Sequence, residues 1–233
     1  LNKAGEQVIL SAPGRVVDST RFKGQENCVS LGRYPDGPAH WLTTLPTSGS
    51  PNELVAPTVR ISEVMFNPLQ PGDDYEYIRI ENIGTGSHAF ENSTGTYRIA
   101  GGVKFDFPTG TILPVGGNLW ILSFNPTNAV KLNLFCSAYG LNAANETFLG
   151  GYQGELSDRA ERVALERPQD SDDPLRPLDR SWVVVDELYY FDQAPWPTSA
   201  DGTGYPLIRT GLTSWGAPSA ADTDADQMPD SWE

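Results

Sequence analysis

The residues best placed to do chemistry lie near the C-terminal end, in the run Asp222-Thr223-Asp224-Ala225-Asp226-Gln227-Met228-Pro229-Asp230-Ser231-Trp232-Glu233. Counted from Asp222, carboxylates stand at positions 1, 3, 5, 9 and 12 (Asp222, Asp224, Asp226, Asp230 and Glu233), and the main-chain carbonyl of Met228 falls at position 7. A looped backbone wraps a hard cation with oxygens at this spacing, so these six residues are the candidate ligands of a Ca2+ ion. Gln227 occupies position 6, where the sharp turn usually takes Gly, which points to weak affinity, in the ~10⁻⁴ to 10⁻³ M range of extracellular sites. A site that weak fills only where free calcium is millimolar, so the expected location is extracellular or at the cell surface.

Other constellations offer less. Two histidines, His40 and His88, are too few for a multi-histidine metal site or a conventional triad. The run Gly84-Thr85-Gly86-Ser87-His88-Ala89 follows a strand pattern, but Phe90-Glu91-Asn92-Ser93-Thr94-Gly95 cannot open the helix whose N-terminus a dinucleotide site needs. Asp73-Asp74 with Glu76, or Asp186-Glu187, could pair as acid and base for glycoside hydrolysis, yet they read as solvated turn and edge-strand charges. Trp41, Trp196 and Trp215 sit in Pro- and Gly-rich loops and are expected to pack or anchor those loops rather than stack on a ligand. Cys28 and Cys136 read as two buried free thiols, one bridge being the alternative. No catalytic residue is assigned.

The elements that must position these groups are strands. Gly (23) and Pro (19) exceed average usage in a chain of 233 residues, which favours turns and an all-β fold. Period-2 alternation predicts strands at Val59–Phe66, Tyr75–Ile80, Tyr97–Ile99, Val103–Phe107, Leu119–Phe124, Arg162–Leu165 and Val183–Tyr190, with a short helix within Ala129–Ala144. A net charge of −14 opposes phosphate and anionic lipid, and no apolar run approaches the ~18 residues of a membrane-spanning helix. Nucleic acid and membrane insertion are therefore not expected.

An internal repeat organises the chain. Leu1 to Leu10 aligns with Leu156 to Leu165, Val16-Val17-Asp18 with Val184-Val185-Asp186, Ser30-Leu31-Gly32-Arg33 with Pro206-Leu207-Ile208-Arg209, and Thr47 to Pro51 with Thr213 to Pro218. About a hundred residues of strand pattern precede the second copy, so residues 1–52 are expected to be the C-terminal half of a module. Residues 53–57 then form a linker, 58–218 a complete module, and 219–233 the acidic loop.

Val59 to Pro68, Glu76 to Asn82 and, most specifically, Phe105-Asp106-Phe107-Pro108-Thr109-Gly110-Thr111-Ile112-Leu113-Pro114-Val115-Gly116-Gly117-Asn118-Leu119-Trp120 resemble the lamin tail domain. The resemblance implies an immunoglobulin-like β-sandwich, a domain that also occurs in multi-module secreted bacterial proteins and carries no catalytic residues of its own. Tyr97 stands where that family usually has Trp, and 170–180 is an acidic insertion. The C-terminal run is similar to calcium-binding repeats of the thrombospondin type 3 kind. Together these imply a non-catalytic binding or spacer segment of a large secreted or surface protein. Its expected partners are neighbouring modules of the same chain and a glycan or another surface protein. The alternative is an accessory domain of an extracellular hydrolase, a nuclease or carbohydrate-active enzyme, whose catalytic domain lies elsewhere.

Overall fold

Turn residues cut the chain into short extended segments, and the structure, a computed structural model, describes residues 5–26, 28–37, 40–170 and 180–218. Two hairpins come first: β1 (Gly5–Ala12) with β2 (Arg15–Lys23), then β3 (Ser30–Tyr34) with β4 (His40–Thr44). Next come β5 (Val59–Met65), β6 (Tyr77–Asn82), β7 (His88–Ala89), β8 (Glu91–Asn92) and β9 (Gly95–Thr96). They lead to β10 (Arg98–Gly101), β11 (Phe105–Asp106), β12 (Ile112–Leu113) and β13 (Asn118–Leu122). After α1 (Ala129–Ala138) the chain continues through β14 (Phe148–Gly150), β15 (Ala160–Gln169), β16 (Ser181–Phe191), β17 (Leu207–Arg209) and β18 (Trp215–Gly216). The fold is all-β with this one α-helix among the described residues.

Two sheets dominate, one in the order β11-β10-β15-β16 and the other in the order β14-β13-β6-β5-β17-β18. Within them only β13 and β14 run parallel. The sheets share one core: Val59, Ile61 and Val64 of β5, Ile78 and Ile80 of β6, and Leu119 and Ile121 of β13 meet Ile99, Val163, Leu165, Leu188 and Tyr190 from the other sheet. Each such side chain removed from water contributes about 1.5–3 kcal/mol, so this layer is the main source of stability.

Strand β13 departs from simple alternation, because Leu119, Trp120, Ile121 and Leu122 are all buried. Its second face is covered by α1, where Phe135 and Cys136 pack with Met65, Tyr77, Trp120 and Leu122 in a separate cluster. Asn128 caps the helix by accepting from Lys131 N at 3.2 Å. Lys131 Nζ reaches Asp74 at 2.6 Å and Tyr139 Oη donates to Tyr75 O at 2.6 Å, fixing α1 to the turn that precedes β6.

The N-terminal hairpins lie outside this double layer. Beyond β4 the chain returns along it, with Leu45 N donating to Glu53 O (2.8 Å) and Val55 N to Thr43 O (3.0 Å). A parallel bridge between Gly24, just beyond β2, and Val183, near the start of β16, and an ion pair between Glu26 and Arg167 of β15 (2.6 Å) join the first hairpin to the β15–β16 pair.

Candidate functional site

The predicted calcium ligands Asp222, Asp224, Asp226, Met228, Asp230 and Glu233 lie outside the described residues. Among the described residues no group of three or more His, Cys, Asp or Glu could hold a metal ion.

The carboxylates expected to be solvated divide sharply, and two require correction. Asp73 is exposed on its turn and Glu187 on its strand, as expected. Glu76, however, is buried: Tyr152 Oη donates to its Oε2 at 2.8 Å and Leu156 N donates at 3.0 Å. Burial in this pocket pushes its carboxyl up to about 7, outweighing both donors. Asp186 is the second correction, with its side chain only 13% exposed. Burial raises its pKa, opposed by Arg209 and by the main-chain N–H groups of Ile61 and Glu187.

Asp186 and Arg209 form a clamp on one residue of β5. Asp186 Oδ2 accepts from Ile61 N at 2.7 Å, Arg209 Nε donates to Ile61 O at 2.8 Å, and Arg209 Nη2 closes the triangle on Asp186 Oδ2 at 2.6 Å. Two irregularities aim these groups. In the β15–β16 ladder Leu165 pairs with Asp186 and Glu166 with Val184, so Val185 is stepped over. In the β5–β6 ladder Ile61 pairs with Ile80 and Glu63 with Arg79, so Ser62 is stepped over beside the clamped residue. Arg209 Nη1 donates to Leu212 O at 2.5 Å, and its guanidinium lies 4.6 Å from the Trp215 ring centre. The clamp ties the two sheets together through the main-chain N–H and C=O of Ile61.

The same parts recur in residues 5–44. Leu10 pairs with Asp18 and Ser11 with Val16, stepping over Val17. Arg33 Nη2 donates to Asp18 Oδ1 at 2.7 Å, Arg33 Nη1 donates to Gly37 O at 3.3 Å, and Arg33 lies 5.0 Å from the ring of Trp41. Arg33 stands opposite Trp41 in the β3–β4 ladder, as Arg209 stands opposite Trp215 in β17–β18. By strand register Trp215 therefore matches Trp41, which displaces the sequence alignment of Thr213–Pro218 with Thr47–Pro51. Sequence spacing does not reveal this match, since Leu10 and Asp18 are 8 residues apart but Leu165 and Asp186 are 21, and Asp18 and Arg33 are 15 apart but Asp186 and Arg209 are 23; it is the strand register that lines the residues up.

The remaining sequence candidates are placed as follows. Trp196 and Trp215 pack against the main core, while Trp41 is 37% exposed. Trp196 borders an open groove of about 560 Å³ that it lines with Arg159, Phe191, Asp192 and Pro195. Gly84 to Ala89 passes into β7 and β8 rather than a helix. His88 Nδ1 is 3.2 Å from Thr58 Oγ1, its Nε2 is buried without a partner, and Phe90 and Tyr97 meet its ring edge-on at 5.0 and 5.4 Å. Burial lowers its pKa. Both cysteines are free, but Cys28 is exposed, so the expectation of two buried thiols holds for Cys136 alone.

A third set of charges lies on the outer face of the six-stranded sheet. Buried Glu63 receives Tyr77 Oη at 3.0 Å and the Arg79 guanidinium, which lies 4.9 Å from the Trp120 ring. Trp120 Nε1 donates to Glu146 at 2.7 Å. These contacts lie beside the cluster in which Phe135 of α1 packs on Tyr77 and Trp120. No family model matches the chain, and no curated protein matches it.

Proposed function

We propose that the chain is a non-catalytic binding or spacer segment of a large extracellular or cell-surface protein built of tandem modules. In this reading residues 58–218 are an immunoglobulin-like sandwich of the lamin tail kind, residues 1–52 are the C-terminal half of a similar module joined through 53–57, and residues 219–233 are a calcium-binding loop. The observation that carries it is the recurrence, in the same chain order, of one unit: a hairpin with a stepped-over valine, an aspartate, an arginine on the next strand and a tryptophan beyond it. The sharing of one core by two sheets supports a sandwich, and the engagement of Glu76, Asp186 and Glu63 in internal contacts favours a structural use of the buried acids.

Two measurements test this reading. Residues 58–218 expressed alone are expected to unfold in one cooperative transition, and loss of that transition would overturn the module boundaries. Calorimetric titration of the whole chain with Ca2+ is expected to give saturable heat at ~10⁻⁴ to 10⁻³ M. That heat should disappear in the double variant D224N/D226N, and an unsaturated titration at several times that concentration would overturn the calcium assignment.

A further inference from the structure

The clamp in residues 160–216 is filled and, among the described residues, its counterpart in residues 5–44 is not. Asp186 and Arg209 read the N–H and the C=O of Ile61. Among the described residues, Asp18 accepts only from Ser19 N (2.9 Å) and from Arg33, and Arg33 Nε has no acceptor. The apolar surface beside each clamp differs in the same sense. Val163 and Leu165 are wholly buried beneath β5 and its neighbours, whereas Val8 is 42% and Leu10 60% exposed. Strand edges complete the parallel. β17 pairs with β5 through Leu207 with Val64 and Ile208 with Glu63, while among the described residues β3 has β4 as its one ladder partner, and its main chain meets, besides, the Asn52 side-chain amide, which donates to Arg33 O at 2.8 Å.

From this we infer that Asp18, Arg33, the Val8–Leu10–Val17 face and the outer edge of β3 form a docking site for a β-strand of the β5 kind. The occupant follows from what fills the equivalent site. It runs antiparallel to β3, offers the N–H and C=O of one residue to Asp18 and Arg33, and steps over the next residue. Its inward side chains are apolar at the spacing of Val59, Ile61 and Val64, two residues and then three apart. A main-chain clamp fixes register and direction, and the apolar face supplies the burial, which is how strand addition to an open sheet edge divides its work. The source to which the site is matched is the front-half sheet of another sandwich module. A second copy of this chain does not meet the requirement, because its β5 already occupies its own clamp.

The inference rests on the modular reading only through the match between the two clamps, and it fails separately from the calcium loop and from the folding of 58–218. The test uses the whole chain and a synthetic peptide with the sequence Thr58–Phe66, followed by calorimetry and by backbone amide shifts. The expected result is saturable binding, with shifts confined to β1, β2 and β3. A control peptide of the same composition with its apolar residues moved by one position should bind at least ten-fold more weakly. Asp18→Ala and Leu10→Asp should each weaken binding ten-fold or more. Arg33→Lys, which keeps a cation opposite Asp18 and so preserves the hairpin, should weaken it several-fold. Equal binding of both peptides, or no binding at millimolar peptide, overturns the proposal. So does a concentration-dependent doubling of the chain's mass that Leu10→Asp abolishes, since a second copy would then be the occupant.

Discussion

Hairpins β1–β2 and β15–β16 align Leu10 with Asp18 and Leu165 with Asp186, and each steps over one valine, yet Leu165 is wholly buried and Leu10 lies mostly in solvent. The shared geometry in unlike surroundings separates two causes that usually act together. The alternation of side chains is local, so it sets which residues share a face in both places. Burial is not local. It arises only where β5, β6 and β13 supply an opposing face, and the energetic weight of each residue should follow that face rather than the hairpin itself.

The largest expected contrast is at the arginines. Arg209→Ala leaves Asp186 buried without its cation and frees Ile61 O, so it should cost about 3–5 kcal/mol in denaturant unfolding. Arg33→Ala breaks a pair whose side chains are 29% and 41% exposed, and should cost about 1 kcal/mol or less. Equal losses would mean that the two clamps carry the same strain and that burial is not what distinguishes them.

Next are the leucines. Leu165→Ala removes a side chain from the shared core and should cost about 2–5 kcal/mol, depending on how far the cavity closes. Leu10→Ala should change stability by no more than about 0.5 kcal/mol. With the β5 peptide bound, the second value should rise toward the first, which would sharpen the comparison into a measure of what the missing face contributes.

A third contrast is in pH. Glu76 titrates at about 7 in the folded chain against 4.5 in the unfolded one, so the folded state binds the extra proton between those values. The sandwich therefore carries a penalty of about 3 kcal/mol above pH 7, relieved as pH falls toward 4.5. Glu76→Gln should stabilise at pH 8 by up to that amount and make little difference at pH 4. No acid in the described part of residues 5–44 is buried, so residues 58–218 expressed alone should show the same gain. A Glu76→Gln chain no more stable than wild type at pH 8 would show that the pocket holds the carboxylate without cost.

Much of the frame was legible in the sequence, because it depends on nearest-neighbour patterning. The strands at Val59–Phe66, Arg162–Leu165 and Val183–Tyr190 match β5, β15 and β16 within a few residues, and the helix within Ala129–Ala144 is α1. Tyr75–Ile80 was shifted, since Asp73–Tyr75 forms a 3-10 turn and β6 starts at Tyr77. What sequence patterning missed is the fate of the charges. Glu76 closely follows two acidic turn residues and reads as one of them, but the chain leaving that turn for β6 brings it inward to Tyr152, 76 residues away. Asp186 lies in an alternating strand whose stepped-over Val185 changes the face it presents, and Arg209 reaches it only after the chain has crossed between sheets. Alternation cannot report a contact that a bulge and a crossover create.

The smallest effect concerns His88, and it is visible only once Glu76 is silenced. Burial lowers the His88 pKa below its ordinary value of 6.5, so the folded state resists the proton that the unfolded chain accepts. Its contribution to stability is complete above that value and declines as pH falls through it, the opposite slope to that of Glu76 in the same window. In wild type the two oppose each other. In the Glu76→Gln chain stability should fall between pH 7 and pH 5, and adding His88→Gln should flatten the curve, while any contribution from His40 is common to both chains and cancels. The ring is confined by Phe90 and Tyr97 with its Nε2 buried and unpartnered, so a proton there would have no acceptor. A slope unaltered by His88→Gln would place the pH sensitivity elsewhere in the sandwich and leave Glu76 as the residue that distinguishes it from the exposed hairpin.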